Sequence, residues 1–145
     1  MTRGGKNART GIDRLEAHGR LRKAKAFHLV ARESIGILRD AGLDRAPVLS
    51  NAILAAVAYT DAVTIASDGR MNQKDHATAP AVLRECVGRE LPEGPLSDLK
   101  GMLSVKDEMQ YGARVSLHRD AERALEQLDR FAAWASSWLE AKGIS

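Results

Sequence analysis

At 145 residues with a formal net charge of +3, the chain is long enough for one domain with a sizeable apolar core and needs no disulfide or metal to fold. A single cysteine, Cys86, excludes an intramolecular disulfide and a cysteine-based zinc cluster, and fits a reducing cytosol. Aromatic residues make up only 4% of the chain, which argues against a base-stacking platform for single-stranded nucleic acid.

The opening MTRGGKNART lacks the apolar stretch of a secretory signal and reads as a flexible basic tail over residues 1–10, ahead of one domain over 11–145. A first helix is expected over about 12–41, with a break near Gly19. Its apolar stripe runs Leu21, Ala24, Phe27, Ala31, Ile35, Leu38, and Gly42 stops it. A second helix begins at Pro47, where the missing N–H costs nothing, and runs to about Ser67. Its middle, NAILAAVAYTDAVTIA, is apolar on most sides and so should be the most buried element. No run is expected to approach the roughly 18 apolar residues that cross a bilayer, which predicts a cytoplasmic protein with no membrane partner.

Asp75 can cap a third helix over about 76–87, with Pro80 in its first turn. GRELPEGP reads as a loop. A fourth helix is expected over about 96–111, stopped by Gly112. Ser116 is the expected cap of a last helix over 117–142, ended by Gly143. Leu117, Ala121, Ala124, Leu128, Phe131, Ala135 and Trp138 form a seam in it, at alternating steps of four and three, that should pack against another helix. The architecture predicted is all-α: an up-and-down bundle of about five helices.

Charge is unevenly placed. Residues 1–45 carry eleven Lys/Arg against five Asp/Glu, and the remaining hundred carry eleven against fourteen. Arg20, Arg22, Lys23 and Lys25 form the densest cluster on the first helix, a candidate footprint for nucleic-acid phosphates or for an acidic partner. Two charges fall on apolar faces. Asp61 shares one with Leu54, Val57, Ala58 and Ile65, and Lys106 shares one with Leu99, Met102, Leu103 and Met109. A buried charge needs a partner: the two could meet each other, or Asp61 could meet Tyr111 or a histidine. His18 and His28 read as surface or boundary residues of the first helix. His118 sits in the first turn of the last helix, with Arg114 four positions before it. No metal-ligand spacing and no phosphate-cradling glycine loop occurs, so no metal and no cofactor is expected.

The apolar second helix running into a Gly-containing loop, AAVAYTDAVTIASDGRMNQKDH, together with LKGMLSVKDEMQYGARVS and DAERALEQLDRFAAWASSWL, resembles the HEPN superfamily (higher eukaryotes and prokaryotes nucleotide-binding), in an actinobacterial-type branch, over about residues 20–142. The resemblance implies a helical bundle and two kinds of activity. Many members are metal-independent endoribonucleases, often toxins, that act as dimers through an arginine and a histidine separated by four to six residues. Others are non-catalytic partners of a nucleotidyltransferase or nucleotide binders. Arg70 and His76 have that spacing. A neutral His76 would take the proton from a ribose 2′-hydroxyl, and Arg70 would hold the phosphate as charge builds on it, in a cleft shared by two subunits. The same stretch also serves as a helix stop at Gly69 and a helix start at Asp75. The sequence leaves both readings open: an RNA-binding or RNA-cleaving protein, or a non-catalytic partner module for a nucleotidyltransferase or an antitoxin, with a homodimer or a cognate protein as the expected assembly.

Overall fold

A computed structural model describes residues 3–69, 76–111 and 115–145, with side chains placed from residue 11 onward except at 107–111. The described residues form five α-helices and no strand: α1 (Arg3–Asp40), α2 (Ala46–Asp68), α3 (Ala79–Val87), α4 (Glu93–Tyr111) and α5 (His118–Ala141). Single 3₁₀ turns, His76–Thr78 and Gly88–Glu90, precede and follow α3.

α1 starts some nine residues earlier than its apolar stripe indicates and continues through Gly19 without a break. Once a helix is nucleated, each added residue gains a hydrogen bond without a new nucleation cost. An isolated glycine, at about 1 kcal/mol relative to alanine, is not enough to stop it. The end is as expected. Gly42 takes φ +67°, and the Leu43 N–H reaches back to the Leu38 carbonyl at 2.9 Å, the closing bond of a Schellman turn.

Asp44 then organises the corner. Its Oδ1 accepts the N–H of Ala46 at 2.8 Å and that of Ser116 at 3.2 Å, tying the start of α2 to the approach of α5. Ser116 is therefore not the cap of α5. Leu117 holds that position, and the Asp120 carboxylate accepts its N–H at 3.0 Å. The segment read as a loop, GRELPEGP, is shorter than expected. α4 begins at Glu93, because Pro95 falls in the first turn, where no N–H is needed.

Buried residues occur on nearly all sides of α2, from Val48 to Ile65, in keeping with its uniformly apolar sequence. Contrary to the sequence-based expectation, α2 is long and apolar enough to cross a membrane: its best 18-residue window has mean hydropathy 1.5. In the fold 78% of that window is buried inside the protein, so α2 is accounted for as the core helix. It packs on α1, α5, α3 and α4.

Contacts fix the directions of the long helices. Asp13 lies against Gly69 and His28 against Tyr59, so α1 and α2 are antiparallel. Arg14 donates to the carbonyls of Lys142 at 2.8 Å and Gly143 at 3.2 Å, closing the C-terminal end of α5 against the start of α1. Arg130 grips the buried Asp98 with two bonds of 3.0 and 2.9 Å, joining α4 to α5 antiparallel. Those bonds hold the Arg130 guanidinium more firmly protonated than usual. The long helices alternate up and down, with α3 inserted beside α2. α2 and α5 form a middle layer, with α1 on one side and α3 and α4 on the other. The α5 seam is filled by the chain itself: Ala121, Ala124, Leu128, Phe131 and Ala135 are buried.

Candidate functional site

His76 is the first residue of the 3₁₀ turn that leads into α3. Lys106, two-thirds of the way along α4, brings its Nζ to 3.3 Å from His76 Nδ1, and both side chains are half-buried. An ammonium can only donate. Nδ1 is then the acceptor, and a neutral imidazole carries its proton on Nε2. The contact therefore assigns Lys106 a histidine partner and favours a tautomer that offers Nε2–H as a hydrogen-bond donor and cannot take a proton there. Arg70, the other member of the predicted pair, lies outside the described residues, as does Asp75, the predicted helix cap. Arg114, Gly112 and the side chain of Tyr111 fall outside them too. Asp61 is buried at 6% exposure, as its apolar neighbours on α2 indicate.

The basic cluster is well defined. Arg22, Lys23 and Lys25 are exposed on α1 and Arg20 is half-buried. None of the four makes an ion pair or side-chain hydrogen bond among the described residues, whereas Arg14, Arg32, Arg39, Arg84 and Arg130 are all engaged. Four uncompensated cations within six residues create a positive field on that stretch of α1. No contact among the described residues joins this cluster to His76: α1 packs on α2 and α5, whereas the turn that carries His76 packs on α3 and α4.

A second polar constellation was not foreseen. His28, expected at the surface or boundary, is buried at 9% exposure. Its Nδ1 lies 3.0 Å from the Tyr59 hydroxyl and its Nε2 2.7 Å from Asp129 Oδ1. Arg32 shares that same carboxylate oxygen. Because a carboxylate only accepts, His28 Nε2 is the donor, and the Arg32–His28 approach of 3.1 Å brings two donors around one acceptor. Nδ1 then accepts from Tyr59. Burial pushes the Tyr59 hydroxyl up from its ordinary 10.0 to about 12, with Arg32 opposing and Asp129 adding to the shift, so it stays a donor. The chain Tyr59–His28–Asp129–Arg32 pins together α2, α1 and α5. The signal was present in the sequence: His28 sits four residues after Ala24 and three before Ala31, on the buried stripe itself.

A recess of about 220 Å³ opens where α2, α3 and α5 end, lined by Ser67, Cys86, Glu90, Trp138 and Lys142 among others. It is smaller than the roughly 300–1,000 Å³ of small-molecule sites. Among the described residues no group of three or more His, Cys, Asp or Glu is placed to hold a metal ion. Fold and site together define a helical bundle with an open basic stretch on α1 and a lysine-held histidine in the turn before α3. No protein-family model, no curated protein and no solved structure matches the chain.

Proposed function

We propose that this chain is a HEPN-like helical protein of the cytoplasm that binds RNA through α1, acting as a binding module. One observation carries the reading: Arg22, Lys23 and Lys25 are exposed, close together and unpaired among the described residues, whereas Arg32, Arg39, Arg84 and Arg130 each pair with a carboxylate. Such cations bind phosphates by releasing counterions, without base stacking, which suits a chain with few aromatics. The single cysteine, Cys86, agrees with a reducing compartment. The test is fluorescence anisotropy with a labelled single-stranded RNA. Reversing Lys23 and Lys25 to glutamate should abolish binding at moderate salt while leaving helicity intact. Equal affinity for wild type and variant would sink the reading.

A second reading, metal-independent RNA cleavage, draws on the Lys106–His76 contact. With Nδ1 occupied, His76 would hold a phosphate oxygen through its Nε2–H and not carry the proton itself. Attack of the ribose 2′-oxygen on phosphorus would form the cyclic phosphate and break the bond to the 5′-oxygen, with the 2′-hydroxyl proton passing through water to that leaving oxygen. The separation of His76 from the basic cluster favours binding over cleavage. His76→Ala separates the two: it would remove RNA cleavage and leave RNA binding unchanged.

A further inference from the structure

Three helices end at the recess beside Trp138. Ser67 comes to it from the last turn of α2, Cys86 from the last turn of α3, Glu90 from the 3₁₀ turn that follows, and Trp138 and Lys142 from the end of α5. The Ser67 hydroxyl donates to the Cys86 carbonyl at 2.8 Å, which holds the first two ends together. A helix C-terminus carries about half a negative charge on its last carbonyls, so three of them make this end of the bundle attractive to cations. The chain sends its own cations there. Arg84 donates to the carbonyls of Gly88 and Leu91 at 2.9 Å each, and Arg14 to those of Lys142 and Gly143. Lys142 places its Nζ over the Trp138 ring, 5.1 Å from the centroid.

These cations are not held equally. Arg14 and Arg84 are each fixed by several hydrogen bonds. The Lys142 side chain is exposed and makes only the ring contact among the described residues. Glu90 is fixed by two tryptophans: Trp138 Nε1 donates to its Oε2, and Trp134 Nε1 donates to its backbone carbonyl at 3.0 Å. Among the described residues its carboxylate enters no ion pair. We infer that the recess binds a small primary organic ammonium ion, with the Lys142 ammonium as a displaceable internal occupant. The ligand nitrogen takes the ring face that Lys142 now covers and donates to the Glu90 carboxylate. Its short stem lies in the recess beside Cys86. A volume of about 220 Å³ admits an amine of a few carbons and not a drug-sized molecule. Glu90 and the three helix ends disfavour an anion there. The inference is independent of RNA binding.

The test is an NMR titration of the full chain with propylammonium chloride at constant ionic strength, read at the Trp138 indole and the Ser67 and Cys86 amides. Saturable shifts centred on the recess are expected. Lys142→Met removes the internal competitor and should tighten binding about threefold, the fold-change of an exposed cation–π contact. Glu90→Gln should weaken it about tenfold. Both positions are exposed, so helicity should not change. Tetramethylammonium, which has no N–H to donate, should bind more weakly than propylammonium, and propionate should not bind. No saturable shift in Lys142→Met, weaker binding in that variant than in wild type, or undiminished affinity in Glu90→Gln overturns the site. Tetramethylammonium or propionate binding as tightly as propylammonium overturns the choice of ligand.

Discussion

Tyr59→Phe is the sharpest probe of the buried relay. It removes one oxygen from a side chain that is 3% exposed and leaves the ring in place. The hydroxyl lies 3.0 Å from His28 Nδ1, and without it that nitrogen becomes a buried acceptor with no donor from α2. Leaving a buried polar group unsatisfied costs about 1–3 kcal/mol. For a domain near this size each kcal/mol moves Tm by about 2–4 °C, so a fall of roughly 2–12 °C is expected in thermal unfolding. The pair Tyr59→Phe and His28→Leu gives the partition. Replacing both partners with apolar groups should cost less than the sum of the single losses, a coupling that a double-mutant cycle measures directly. The ¹⁵N shifts of the His28 ring supply an independent check, since the geometry demands a proton on Nε2. An unchanged Tm in Tyr59→Phe, or a ring protonated on Nδ1 alone, would refute the assignment.

The same hydroxyl sets an alkaline limit. Its folded pKa of about 12 lies above the ordinary 10.0, so the folded state holds the proton more tightly than the unfolded chain. The stabilisation is complete below pH 10 and is lost as pH rises from 10 towards 12. Denaturant titrations across that window should show a steeper loss for wild type than for Tyr59→Phe. Gly69→Ala should lower stability by about 1 kcal/mol or more, because φ is +78° there and an added Cβ would come within 2.9 Å of the Asp13 carboxylate; urea unfolding reads this. Lys106→Met would release His76 Nδ1, and the ring's NMR tautomer ratio should shift away from the Nε2–H form.

How much of this was legible in the sequence depended on the kind of signal. Helical periodicity gave the number of helices and the buried α2. Gly42 and Gly69 end their helices because the chain turns through positive φ at both, which favours glycine over other residues. The boundaries that differ have separate causes: α1 propagates through Gly19, α4 takes Pro95 into its first turn, and a tertiary bond decides the start of α5. Ser116 has the preferred type for a cap, yet its backbone is held by Asp44 and Arg45, and Asp120 closes the helix one residue later. His28 was misjudged because histidine is a boundary residue on average. Its partners, Tyr59 and Asp129, lie 31 and 101 residues away, a distance over which no local pattern operates. The contact of Lys106 with His76 was hidden for the same reason.

The central claim is that α1 gathers RNA phosphates, and the dependence of RNA affinity on salt tests it most directly. Each single-strand phosphate neutralised contributes about 0.7 to the fall of log K with log salt concentration. The account predicts a steep line for the wild type, and for Lys23→Glu with Lys25→Glu a slope shallower by about 1.4 or more. A flat wild-type line, or the same slope in both proteins, would contradict it.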